Sequence, residues 1–159
     1  MHRLLLFIVV AFALLIGVSL AFLKPLVLMS PMEGTLIEAS GEPVVGVRLV
    51  RRWDWVWTNR QGADETVTDE EGKFQFPRVT GSSVTARLLP HEPNVRQIIV
   101  AHSPTGEVEI WRAIKGNYEE NSELGGDEFQ VLCAIDGLPG PEEERLYASQ
   151  CVRLSLSSE

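Results

Sequence analysis

At 159 residues and a formal net charge of −8, the chain has room for one domain with a core of its own. Its charges are unevenly placed: Arg3 and Lys24 fall in the first 31 positions and every acid falls after them, so residues 32–159 carry 12 basic against 22 acidic side chains, a formal −10. Such a surface repels phosphate backbones and anionic headgroups, which excludes nucleic acid as a partner.

Leu4 to Leu23 reads LLLFIVVAFALLIGVSLAFL, 20 residues without a charge. As a helix it would be about 30 Å long, the thickness of a bilayer's hydrocarbon core, and no face of it is polar. A transmembrane anchor is therefore predicted over residues 1–24, followed by a short connector at 25–31 and one domain at 32–159. The alternative is a cleaved signal peptide with Arg3 in its n-region and Ser19 and Ala21 before the cut. Phe22, Leu23, Leu26, Val27 and Leu28 carry the hydrophobicity past that site and favour an uncleaved anchor. Basic charge is nearly balanced across the run, but the short basic N-terminus and the lack of a second span point to a single pass through an inner membrane, with the C-terminal domain in the periplasm. Cleavage would leave that domain periplasmic or secreted.

From Glu33 onward the chain becomes short runs rich in Val, Ile, Thr and aromatics, punctuated by Gly, Pro, Asn or Asp, the texture of an all-β sandwich or barrel. Strands are predicted at Gly34–Ala39, from Val45 towards Trp57, at Glu65–Thr68, around Phe74 and Phe76, and at Val84–Leu89. Further strands follow at Arg96–Ala101, Glu107–Ile114, Phe129–Ile135 and Val152–Leu156. Glu142–Ala148 is read as one or two helical turns. Two loops, Asn117–Glu128 and Asp136–Glu144, are acidic and glycine-bearing, and loops of this kind on a rigid sandwich often carry specificity. Neither has the ligand spacing of a calcium loop. Cys133 and Cys151 both follow the apolar run, and in an oxidising compartment the pair predicts a disulfide; two separately buried thiols are the alternative.

The stretch EGTLIEASGEPVVGVRLV, followed by ETVTDEEGKFQFPRV, resembles the carboxypeptidase regulatory-like and transthyretin-like sandwich family. The matching positions are Gly41, Pro43 and Gly46, then Thr68, Asp69, Gly72 and Phe74. The resemblance implies a transthyretin-like (prealbumin-like) Greek-key β-sandwich, here preceded by the one transmembrane helix, in a short bacterial envelope protein. It covers roughly residues 33–79. The residues make physical sense as turns: Pro43 presets φ, glycines take conformations that side chains resist, and Asp69 accepts backbone hydrogen bonds ahead of it. They are expected to be structural.

Chemistry is sparse. The hydroxyisourate hydrolases within the transthyretin-like family use histidines and an arginine and end in Tyr-Arg-Gly-Ser, whereas this chain ends in LSLSSE. His102 and Ser103 are adjacent, so on a strand their side chains face opposite ways. No phosphate loop or Cys-x-x-Cys occurs, and no cofactor or metal is expected. The domain is read as non-enzymatic. The feature that exceeds structural need is RRWDWVWTNR: Trp53, Trp55 and Trp57 would form one row, flanked by Arg51, Arg52 and Arg60, with Trp53 the most buried. Either all three are core, or an exposed ridge binds a protein or a glycan. The expected function is recognition of a protein partner at the membrane, such as an immunity protein makes with a secreted effector; the rival is a structural or carbohydrate-binding accessory role in the envelope.

Overall fold

The computed structural model describes Leu6, residues 24–126, residues 130–137, Leu146 and residues 149–154. The predicted anchor, apart from Leu6 and Lys24, lies outside these residues, as do most of the Asp136–Glu144 loop and the helical turns predicted at Glu142–Ala148. Among the described residues no helix is long and apolar enough to cross a membrane. Strands dominate. They are β1 Leu26–Met29, β2 Met32–Ile37, β3 Arg48–Trp55, β4 Arg60–Val67, β5 Lys73–Phe76, β6 Val79–Gly81, β7 Val95–Ser103, β8 Gly106–Lys115, β9 Gln130–Ala134 and β10 Cys151–Arg153, with one short helix, α1, at Val84–Leu88.

Two four-stranded sheets, ordered β10-β9-β2-β5 and β4-β3-β7-β8, face each other, and β1 pairs with β6 in a small third sheet. Within the sandwich β2 and β9 run parallel; the other pairings are antiparallel. Alternation dictates the inner face. In β5, Phe74 and Phe76 are buried while Lys73 and Gln75 are exposed, and they meet Met32, Leu36, Leu49, Ile99, Ile110, Trp111 and Val131 in the main core. A register shift between Ile99 and Val100 leaves Ile110 as the extra residue of β8, so Ile110 and its neighbour Trp111 are both buried. A second apolar cluster, Leu28, Met29, Trp55, Ala86 and Val95, fills the end where the small sheet covers the sandwich.

The two halves of the turn motif meet in space. Asp69 Oδ1 accepts from the amides of Glu71 (3.0 Å) and Lys73 (2.8 Å), and Thr68 Oγ1 accepts from Val47 N (3.0 Å). Gly72 has φ +73°, and a Cβ there would lie 2.5 Å from the Leu36 carbonyl oxygen and 3.2 Å from Pro43. No other residue fits so close a crossing of backbones.

Three local expectations differ from what is found. Residues 25–31, expected as a connector, contain β1, whose Val27, Leu28 and Met29 are all buried. A strand covered on both faces shows no alternation, and here its apolar run merges with the one before it. Val84–Leu89, expected as a strand, forms α1, because the Ser83 hydroxyl caps the Ala86 amide at 3.2 Å. The third strand begins at Arg60 rather than Glu65, since the turn occupies Val56–Asn59, with Asn59 at φ 53°. Strand β6 at Val79–Gly81 was not expected; the remaining strands sit within a few residues of their expected positions among the described residues.

Cys133 and Cys151 form a disulfide, directly opposite each other on β9 and β10 and fully buried. Closing a loop of this length constrains the unfolded chain by about 3 kcal/mol in the chain-entropy model. Replacing both cysteines with alanine is expected to lower unfolding stability by about that amount, read from denaturant midpoints against the wild type, and reductant is expected to reproduce the loss in the wild type alone.

Candidate functional site

The tryptophan row does not form a ridge. Trp55 is fully buried and donates through Nε1 to Tyr118 Oη at 2.9 Å, with the two rings edge to face. Trp53 is half-buried, its ring lying over Gly62, where a Cβ would come within 2.5 Å of it. Trp55, not Trp53, is thus the deepest. The reason is the small sheet: β6 brings Gly81 against the Trp55 ring, 2.6 Å from the position of an added Cβ, and β1 was hidden in the supposed connector. Trp57 has left the strand for the 3₁₀ turn and is 39% exposed. It stacks on His91 with ring centroids 4.3 Å apart and donates to Thr85 Oγ1 at 3.2 Å.

The arginines divide in the same way. Arg52 and Arg60 are exposed, Arg60 reaching the Ser82 carbonyl at 3.4 Å. Arg51, expected beside the ridge, is fully buried. Its guanidinium forks onto Asp64 at 2.9 and 2.5 Å, donates to the carbonyls of Pro77 and Ser30, and lies 4.6 Å over the Phe76 ring. It follows Leu49 on the inward face of β3, and Asp64 stands opposite it on β4.

His91 is engaged through both ring nitrogens, His102 through Nδ1 alone, its Nε2 being buried without a hydrogen-bond partner among the described residues. His91 Nδ1 lies 3.0 Å from the Leu89 carbonyl, which can only accept, so Nδ1 carries the proton. Nε2 then accepts from Tyr118 Oη at 2.8 Å, completing a chain from Trp55 through Tyr118 to His91. Burial pushes the Tyr118 hydroxyl above its ordinary range, partly offset by the bond from Trp55, which keeps it a donor. His102 Nδ1 pairs with Glu107 at 3.1 Å, while the Ser103 hydroxyl bonds Thr105 and the Gly106 carbonyl within the β7–β8 turn. Adjacent in sequence, these two side chains do not face each other.

The acidic loop at Asn117–Glu128, described as far as Gly126, is pinned by a side chain whose role the sequence did not betray. Glu123 is buried, and its carboxylate accepts from Ser30 N (3.1 Å), Ser30 Oγ (2.6 Å), Gln97 Nε2 (3.0 Å) and Lys115 Nζ (2.7 Å). Lys115, also buried, donates in addition to Ser30 Oγ at 3.1 Å. Burial works to raise the Glu123 pKa, but the bonds from Lys115, Ser30 and Gln97 outweigh it and hold the carboxyl below the usual range. For Lys115 burial dominates and lowers its pKa, with Glu123 opposing. Alternation offered no clue, since a buried Lys and Glu read as surface residues until their partners are known.

One groove, of about 510 Å³, opens along the side where the edge strands β4 and β5 lie beside each other. β2 and β5 contribute Glu33, Thr35, Lys73 and Gln75 to its lining, β4 contributes Thr66 and Val67, and Asp69, Gln130 and Leu154 extend it. Gln75 Nε2 donates to Glu33 at 3.1 Å. The Asp69–Glu70–Glu71 turn places further exposed acids beside it. Among the described residues no cluster of His, Cys, Asp and Glu is placed to hold a metal ion.

A family model described as a domain of unknown function, DUF6795, matches residues 32–137, two thirds of the chain. No curated protein and no solved structure matches it.

The Glu123 pair sets a pH dependence with a definite sign. A carboxyl held below its unfolded value, about 4.3, contributes stability that is present above that pH and is lost as pH falls through the folded value. The acid limb of the stability curve is therefore expected to flatten in Glu123→Gln. Glu123→Ala strands the Lys115 charge and is expected to cost roughly 3–5 kcal/mol. The double change Lys115→Met with Glu123→Leu is expected to recover most of that loss, measured by thermal and urea unfolding.

Proposed function

We propose that this chain, which belongs to the DUF6795 family, is a non-enzymatic interaction domain held at the periplasmic face of the inner membrane by its N-terminal apolar segment, where it recognises a protein partner. The groove between the edge strands β4 and β5 carries the reading. Each of these strands is paired on one side only, so an extended segment of a partner can add main-chain hydrogen bonds to the exposed edge while its side chains enter the groove. Glu33 and Asp69 in the lining, and Glu70 and Glu71 beside it, favour a partner segment that is basic or neutral.

The finer fold assignment is part of the same proposal. Two four-stranded sheets closed on one core, with the Gly41–Gly46 turn docked on the Asp69–Gly72 turn, support a transthyretin-like Greek key built on the regulatory-like module. In that reading Gly41, Pro43, Gly46, Asp69, Gly72 and Phe74 are framework. The engagement of His91, His102 and Ser103 in turn and packing contacts supports a binding role over catalysis.

The test is capture of a partner from native envelope by the full chain, wild type against a groove-filling double variant, Thr66→Arg with Gln75→Arg. Gln75 is exposed and Thr66 partly exposed on the edge strand β4. Capture of a defined protein is expected from the wild type, with a drop of about tenfold in affinity, some 1.4 kcal/mol, in the variant. Retention of peptidoglycan or polysaccharide in place of a protein would support the structural or carbohydrate-binding reading instead.

A further inference from the structure

At the end of the domain opposite the Asp69–Glu71 turn, the distribution of apolar side chains is inverted. In α1 and its exit, Val84, Leu88 and Leu89 are 64, 62 and 51% exposed, and Ala86 alone is buried. Val84 and Leu88, four residues apart, share a face. Beside them Val56 and Trp57 add 42 and 39% exposure from the β3–β4 turn. The surface is rigidly built. Trp57 is tied to Thr85 and stacked on His91, His91 donates to the Leu89 carbonyl, and Val56 N bonds Asn94 O at 3.1 Å. A contiguous apolar surface of this kind, held in place and left uncovered, marks an interaction site.

We propose that this surface, centred on Trp57, Val84, Leu88 and Leu89, rests on the lipid bilayer that holds the N-terminal segment. The inference rests on the anchored reading given above. Its own ground is geometric. Because β1 begins at Leu26, only Lys24 and Pro25 separate the uncharged run Leu4–Leu23 from the folded domain. Two residues reach roughly 7 Å at full extension, so the domain cannot stand away from the membrane. The same geometry fixes which end faces it, because the Arg87 guanidinium donates to the Lys24 carbonyl: the chain leaves the domain beside α1. The chemistry agrees with the position. An indole with apolar neighbours and with Lys24, Arg60 and Arg87 on the side of α1, the exposed Glu92, Glu119 and Glu120 lying beyond His91 and Tyr118, has the composition of an interfacial contact with uncharged lipid.

The experiment uses the full chain reconstituted in phosphatidylcholine vesicles, with tryptophan emission quenched by lipids brominated on their acyl chains. The wild type is expected to be quenched, and Trp57→Phe is expected to lose the quenchable fraction by about twofold or more, as an interfacial indole would, since Trp55 and Trp111 are buried and Trp53 is half-buried over Gly62 within the sheet. The pair Leu88→Asp with Leu89→Asp, both exposed and outside the core, is expected to weaken quenching at Trp57 with the far-ultraviolet dichroism unchanged. Equal lipid quenching of wild type and Trp57→Phe overturns the proposal, and so does a Trp57 reached by aqueous acrylamide but not by lipid. A Trp57 shielded from both quenchers also overturns it and points to a protein surface or a second copy. Carbonate washing separates the two readings: a chain that is quenched by lipid yet washes off refutes the anchor and leaves the docking, and a chain that resists washing without quenching does the reverse.

Discussion

Ser30 is the knot of this structure. It lies between β1 and β2, and its amide and hydroxyl both donate to Glu123. Its hydroxyl also accepts from Lys115 and Asn121, and its carbonyl accepts from Arg51. Through one small residue, by its side chain and its backbone, the first strands are bound to β3, to the end of β8 and to the acidic loop. A buried ion pair costs desolvation that its Coulomb attraction alone does not recover, so satisfaction of every donor and acceptor decides whether it can be tolerated. Here the serine supplies further partners, and Gln97 adds a bond to Glu123 from β7. What the network contributes is a fixed seating of the small sheet on the sandwich. Arg51 reinforces it, reaching from Ser30 to the Pro77 carbonyl just ahead of β6.

Much of the sandwich was legible because its signals are local. Phe74 and Phe76 alternate, the turn residues announce the hairpins, and the cysteines fall on neighbouring strands. The failures that matter for the site share a cause: they depended on a partner distant in sequence, whereas α1 and the Val56–Asn59 turn rest on local caps. β1 was unreadable because an apolar run with no alternation looks the same whether it extends a membrane segment or fills a core. Its absence from the reading then exposed Trp55 on paper, though Gly81 and Tyr118 cover it. The candidate site shrank accordingly, from a row of three indoles to Trp57, and the groove beside β5 was invisible because it belongs to two sheets whose edges the sequence does not bring together. Lys115 and Glu123 are only eight positions apart, but their burial follows from Ser30, 93 residues before Glu123.

Glycine and aromatic residues are matched across these strands. Phe74 lies over its cross-strand neighbour Gly34, Trp53 over its neighbour Gly62, and Trp55 over Gly81. At each place an added Cβ would fall under 3 Å from the ring. Glycine is poor in strands because it offers nothing to pack, and a large ring folded across it restores the contact. The arrangement explains how a small domain seats two bulky indoles near one end of a single strand, where neighbours with side chains would have crowded them out.

The parallel pairing of β2 with β9 has a bearing on how the chain is made. β2 is the first strand of its sheet and β9 lies near the other end of the chain, so the sheet's central ladder joins segments that emerge from the ribosome far apart in time. A contact of such long sequence separation forms late, after the intervening β3–β4 and β7–β8 hairpins. Until β9 arrives, β2 has only the four-residue β5 to pair with, which leaves the early chain without a closed core. Until β9 has left the ribosome, the sheet lacks its central ladder, and the stretch from β2 to β8 stays open along that side.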